Sequence, residues 1–347
     1  MYIKKMSYIS CQTTFDLSFF DKKSLDYNSV FVNAIEPDYG DTIPKGLLRR
    51  MGKGVRMGIG SGMHLIQNCE LISGIIIGTA NGGLEDCVKF LNQIVDFQEG
   101  TLTPTNFVQS TPNALAANLA MMTQNSCYNS THVNTGLAFE SAIMDALLTL
   151  NEVDGDILLG STEEVTPANV NIDKLKGWVV DSDTKLSALI HKHQAGSVIG
   201  EGAGMFVVSK DNTDALAKLI DILTITTEDF PKIGPIVDDF LKNNHIDIHN
   251  LAFVVGRNGH GKHNDNYDKF EKIFVKDQPL FSFKNICGEF PTSISFALWL
   301  SVNILNNTIS KDSVIRNENK VSSVKAILIY NQTFNNQHSF LLLKRTL

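Results

Sequence analysis

A chain of 347 residues that is 43% hydrophobic and 19% charged holds enough apolar material for a large core, in two domains or one large α/β unit. Residue types are evenly mixed, with no long polar or charged low-complexity run, which excludes a disordered chain. A net charge of −7 excludes a general nucleic-acid binder, which carries a basic face.

Taken in chain order, residues 46–66 carry apolar side chains at helical spacing, and so do residues 83–95 around LEDCVKFLNQI. Residues 112–123, PNALAANLAMMT, open with a proline suited to a helix N-terminus. Residues 136–150, GLAFESAIMDALLTL, predict the clearest helix. Its stripe of Leu137, Phe139, Ile143, Ala146, Leu147 and Leu150 is broad enough to be buried on most sides. Strand-like runs follow at 156–160 (DILLG), 204–209 (GMFVVS), 251–256 (LAFVVG), 324–330 (VKAILIY) and 339–343 (SFLLL). Short apolar runs of this kind suit strands buried on both faces, and their mixture with helices predicts a layered α/β protein. The more polar segment 209–250 reads as a connection between halves, which places the expected domains at 1–208 and 209–347.

The cysteines, Cys11, Cys69, Cys87, Cys127 and Cys287, are odd in number and form no CxxC pair. They read as reduced, mostly buried thiols rather than a disulfide or zinc framework. The N-terminus is too polar for a signal peptide, and no apolar run reaches the length of a membrane span. A cytoplasmic protein is expected.

Several segments, in one order, resemble the ketosynthase branch of the thiolase superfamily. They are LLRRMGKGVRMG (47–58), STPNAL (110–115), LLGSTEEVTP (158–167), IGEGAGMFVV (199–208) and FKNICGEFPTSISFALWL (283–300). The most specific is IGEGAGMFVV, which resembles the glycine motif of ketosynthases and the strand after it. A strand following Gly200, Gly202 and Gly204 disfavours a phosphate loop; glycine there permits positive φ or close approach of another segment. The resemblance implies a thiolase-like five-layer αβαβα fold made of two similar halves.

A ketosynthase needs a cysteine thiolate at a helix N-terminus, two histidines that hydrogen-bond the thioester carbonyl, and a backbone oxyanion hole. Counting back from Gly136-Leu137 puts the nucleophile position on Val133, which has no nucleophile; Cys127 lies six residues upstream. Cys127 reads as a structural or incidental thiol, with a reactive one as the alternative. The turn after LAFVVG puts Asn258 where the first histidine belongs, and His260 is expected to point elsewhere. The Lys-x-x-x-Gly pattern keeps Lys284 and Gly288, but Glu289 follows in place of the second histidine. An ionised carboxylate donates no hydrogen bond, so it does not replace imidazole; an ion pair between Lys284 and Glu289 is expected to fill the site. His260 and His263 are spaced like half a metal site without a second ligand pair. No catalytic residue, metal or cofactor is expected.

The resemblance therefore implies a non-condensing subunit that pairs with an active ketosynthase, shapes its acyl channel, and meets acyl carrier protein through that partner. The segments from Cys127 and Lys284 onward look most like the short ketosynthase-like partners of aryl polyene and flexirubin pigment biosynthesis. Met121, Met122, Tyr128 and His132 are channel candidates, with ordinary packing as the alternative for each. Lys45, Arg49, Arg50, Lys53 and Arg56 form a basic run that suits either carrier docking or a solvated helix face. Two other functions stay open: an acyltransferase or thioesterase-like enzyme using Cys127, and a homodimeric acyl-binding protein.

Overall fold

Apolar runs closed by glycine or polar residues form strands here, and longer runs at helical spacing form the layers between and outside them. A computed structural model describes the chain except for residues 41, 68, 70, 318, 319, 321–323, 335 and 347. The strands are β1 (Tyr2–Ile9), β2 (Asn28–Ser29), β3 (Ile72–Gly78), β4 (Tyr128–His132), β5 (Asp156–Glu163), β6 (Thr184–Lys185) and β7 (Gly202–Ser209). They continue as β8 (Ala217–Thr226), β9 (Leu251–Val255), β10 (Leu280–Ser282), β11 (Val314–Arg316), β12 (Ala326–Thr333) and β13 (Gln337–Arg345). The helices are α1 (Lys45–Leu48), α2 (Lys53–Ile66), α3 (Leu84–Asp96), α4 (Pro104–Gln109), α5 (Ala114–Met122) and α6 (Ala138–Thr149). After them come α7 (Pro167–Leu175), α8 (Ile233–Asn243), α9 (Gly261–Phe274), α10 (Lys284–Cys287) and α11 (Ile294–Leu305).

Two sheets of the same design face each other. One runs β4-β3-β5-β7-β1, the other β10-β9-β12-β13-β8, with β11 added at its edge. In each, three parallel strands (β4, β3, β5 or β10, β9, β12) continue into two antiparallel ones. A short pairing of Tyr2 and Ile3 with Lys218 and Ala217 joins them. Between the sheets lie α6 and α11, which share one apolar core with both. All residues of α11 are buried, as expected of a helix that is apolar on every face. Outside one sheet, α2 and α5 form a second core; outside the other, α8 and α9 form a third. The result is the five-layer arrangement of two similar halves.

Three expectations are corrected. The apolar stretch 46–66 is two helices rather than one, broken at Gly52, whose backbone is extended and where a Cβ would lie 2.3 Å from the Asp86 carboxylate. The polar segment 209–250 is not a plain connection: it contains β8, which pairs along its length with β13, and α8. It reads as polar because much of β8 is only half-buried. Of the cysteines, only Cys11 and Cys287 are buried, while Cys127 is exposed.

The motif glycines serve close approach. A Cβ on Gly200 would lie 2.0 Å from the Cys287 carbonyl oxygen, and one on Gly204 would enter the Tyr8 ring. Gly202 sits against the Ile9 carbonyl. Gly200 N donates to Glu289 O (2.9 Å) and Glu289 N to Val198 O (2.8 Å), so the two halves meet backbone to backbone. Gly288, at φ +79, is required on the other side.

Candidate functional site

Parallel strands converge their carboxyl ends on one face, which is where α/β folds place ligand sites. There the chain encloses a cavity of about 350 Å³. Its walls come from the loop after β3 (Ala80, Asn81), from Thr135 before α6, from Glu163 and Glu164 ending β5, and from α7. Trp178, the turn after β9, Glu289 and Phe334 complete it.

On its floor is a charged network. Lys284, fully buried, donates from Nζ to Glu289 Oε2 (2.7 Å), to Glu289 Oε1 (2.9 Å) and to the Gln332 carbonyl (3.0 Å). The Asn258 Nδ2 amide donates to Glu289 Oε2 at 2.6 Å and to His263 Nδ1 at 2.8 Å. Its Oδ1 accepts the His260 backbone N–H at 3.1 Å, fixing which way the amide faces. The ion pair expected between Lys284 and Glu289 is therefore present, and Asn258 extends it to a histidine.

That histidine was not foreseen, and the reading of His260 is corrected. Rather than pointing elsewhere, His260 lines the cavity together with His263. Gly259, at φ +81, turns the chain, and α9 begins at Gly261 with His260 as its N-cap. Positions three apart then share a helix face, and the two rings lie 4.6 Å apart. Trp178 packs 5.6 Å from His260 and 5.5 Å from Phe334. Burial pushes the pKa of His263 well below its usual value, with His260 and Lys284 adding to the effect, and lowers that of His260. Both rings are neutral at pH 7. The available signal was the pair His260–His263 directly after a glycine turn.

Glu163 is buried, and desolvation raises its pKa to about 8 against the backbone N–H groups of Ala80 and Asn81 that it accepts. Glu201, inside the glycine motif, accepts from Ala34 N and Val165 N and pairs with Lys53, tying three loops together.

The expected nucleophile position carries no nucleophile and faces solvent. Val133 is 54% exposed and lies outside the cavity lining, whereas Thr135, two residues on, lines it at φ 42. A turn of 3-10 helix, Thr135–Leu137, precedes α6. The Thr135 hydroxyl is held by Gln337 Nε2 at 2.9 Å. Among the described residues no cysteine lines the cavity. Cys127 precedes β4, at the end of the strand away from the cavity; at about 3.3 Å per residue it is on the order of 20 Å from Val133. His132 does not line the cavity either; it pairs with Asp145 (2.7 Å), which also accepts from Tyr128 OH (3.1 Å). Met121 and Tyr128 are exposed, and Met122 packs partly buried on the core outside the first sheet. Of the basic run, Lys53 pairs with Glu201 and Arg56 with Glu36, while Lys45 on α1 and Arg49 and Arg50 just after it are exposed. One group of three metal-type side chains approaches closely among the described residues: His193, Asp265 and Asp268. All are exposed and outside the cavity lining, and Arg257 already pairs with Asp268.

No helix among the described residues is long and apolar enough to cross a membrane. Residues 29–174 match the family model of the β-ketoacyl synthase N-terminal domain. No curated protein matches the sequence. Among solved structures, the ishigamide ketosynthase/chain length factor superposes with a TM-score of 0.78 at 13% identity, covering 99% of this chain and 98% of that one. A β-ketoacyl synthase from Burkholderia phymatum STM815 gives 0.77 at 13% identity over 100% and 99%. The complex of a ketosynthase with its chain length factor from Xenorhabdus doucetiae gives 0.77 at 12% over 99% and 98%. The chain thus has the thiolase-like ketosynthase fold, and its residues 29–174 are similar to the β-ketoacyl synthase N-terminal domain.

Proposed function

We propose that this chain is a non-condensing, chain-length-factor-like subunit. In this reading it pairs with an active β-ketoacyl-acyl carrier protein synthase and shapes that partner's acyl channel, in bacterial biosynthesis of the aryl polyene or related polyketide and fatty-acid type. The observation that carries the reading is the chemistry of the cavity. Condensation needs a thiolate to carry the acyl group. Here the hydroxyl nearest that role, on Thr135, is held by the Gln337 amide rather than by a base, and Lys284 is bound up with Glu289. The nearest thiol along the chain sits at the far end of β4.

A partner surface is available along β4. β4 is an edge strand, with one backbone edge unpaired among the described residues, and such edges invite another chain. Around it Met121, Tyr128, Val133 and Leu148 are exposed apolar residues. Similar solved proteins include a ketosynthase in complex with its chain length factor and a type II acyl carrier protein in complex with its ketosynthase; those pairings supply the partners named here.

The test is co-expression with a ketosynthase encoded beside this chain, followed by native mass spectrometry and an elongation assay with malonyl- and acyl-loaded carrier protein. A one-to-one complex that elongates, with this chain inert alone, supports the reading. A stable homodimer that ignores the ketosynthase favours an acyl-binding protein instead. Acylation at Cys127 favours a thiol enzyme.

A further inference from the structure

We propose that α7 is a lid. The segment from Thr166 to Gly177 swings off the cavity as a unit, between fixed anchors at Val165 and Trp178, and its opening gives the cavity an entrance on this chain's own surface. The device is independent of any pairing with a ketosynthase.

Very little holds α7 down. Val170, 8% exposed, is its one buried side chain, whereas Ile172 and Leu175 are 51% and 90% exposed. Among the described residues no strand or helix packs along it. Nor does any hydrogen bond or ion pair among them join residues 166–177 to a residue outside 166–178. Most helices in proteins are stabilised by packing of an apolar face; α7 relies on caps of its own. Thr166 Oγ1 accepts from Asn169 N at 3.2 Å and Pro167 takes the first position. At the other end Gly177 N donates to Lys174 O (3.0 Å) and Trp178 N to Asp173 O (2.9 Å). Gly177 stands at φ +75, the conformation in which glycine ends a helix. The Asp173–Lys176 pair is internal as well.

Immediately outside the segment the backbone is fixed. Val165 N donates to Glu201 Oε2 at 2.7 Å, and Glu201 is buried and paired with Lys53. Trp178 O accepts from Ser197 N at 2.8 Å, and Val180 N donates to Ser197 O at 3.1 Å. Between these anchors Asn169, Val170, Ile172, Asp173 and Lys176 line the cavity. They form a wall that leaves without breaking a hydrogen bond to the core, and elements so weakly held open at low free energy.

Opening must overcome the burial of about one valine, so closed molecules are expected to outnumber open ones by about 10- to 200-fold. The first test is hydrogen exchange, read by mass spectrometry on the full wild-type chain. Amides of residues 170–177 are expected to exchange at least 100-fold faster than those of β5 and β7. Their rate is expected to be insensitive to urea below the unfolding transition, as for an opening that exposes little surface. Val170→Ala is expected to speed α7 about tenfold and leave β5 and β7 unchanged. The entrance is tested with Thr333→Cys, at a cavity-lining position 4% exposed, labelled with N-ethylmaleimide and read by peptide mass. Adding Val170→Ala is expected to speed that labelling about tenfold. Exchange of α7 as slow as that of β7, or rising with urea in parallel with it, would overturn the lid. So would a Val170→Ala effect shared equally by all three elements, or labelling of Thr333→Cys that Val170→Ala leaves unchanged.

Discussion

Removing one partner of the Lys284–Glu289 pair is the perturbation whose size is easiest to derive. Lys284 is fully buried and its only charged partner within hydrogen-bond distance among the described residues is Glu289. In Glu289→Ala the ammonium keeps the Gln332 carbonyl but loses its counter-charge, and Asn258 loses an acceptor. Breaking a buried pair in this way costs about 3–5 kcal/mol. With an unfolding entropy of about 2.1 cal/mol/K per residue, a chain of 347 residues has roughly 0.7 kcal/mol/K at its midpoint. The expected fall in Tm is then about 4–7 °C, read by calorimetry on the purified chain or complex. Exchanging both partners for apolar residues, Lys284→Met with Glu289→Leu, leaves no stranded charge and is expected to return most of the loss. The reasoning is refuted if Glu289→Ala shifts Tm by less than about 1 °C, or if the double variant is as unstable as the single one.

Buried carboxyls predict how stability responds to pH. Glu163 and Glu140 are raised by burial to about 8 and about 7, so each holds a proton in the fold that the unfolded chain has already released. Stability from these groups is greatest at low pH and is lost as pH rises through their folded values. The buried histidines His263 and His338, shifted down, act oppositely but only below about pH 6.5. Between pH 6.5 and 8 stability is therefore expected to fall by about 2 kcal/mol, and Glu163→Gln to flatten the decline; a rising profile across that window would contradict it. Cys127→Ser is expected to leave elongation by the complex within about twofold, since the thiol does not line the cavity and lies at the far end of β4; a loss of tenfold in a carrier-protein assay would restore the thiol-enzyme reading. Leu148→Glu with Met121→Glu, on the exposed flank of β4, is expected to weaken partner association at least tenfold by native mass spectrometry or sedimentation, while leaving Tm of the isolated chain unchanged.

Much of the fold was legible because buried strands and helices leave apolar runs in the sequence. IGEGAGMFVV and 136–150 became the strand and the helix expected, and Gly200 is glycine because the Cys287 carbonyl leaves no room for a Cβ. β8 was missed for the converse reason: lying half-buried where the two sheets meet, it mixes Lys218 and Asp221 with its apolar residues and lacks an uninterrupted run. The site was harder. Lys284 with Glu289 could be paired from a spacing of five on a short helix and its turn. That Thr135 lines the cavity could not be read from the sequence, because the positive φ at Thr135 turns the chain by an amount no residue type there announces. His263 was hidden for a different reason. Its place depends on Gly259 at φ +81 and on where α9 begins, both backbone facts, and on Trp178, which comes from a distant segment.

The central claim, that this chain lends shape and not chemistry, is tested most directly by intact-mass analysis of both subunits after the complex meets acyl-loaded carrier protein. The account predicts an acyl increment on the ketosynthase alone and none on this chain, with elongation lost when either subunit is omitted. An acyl increment on this chain, at Thr135, Cys127 or any other residue, would contradict it.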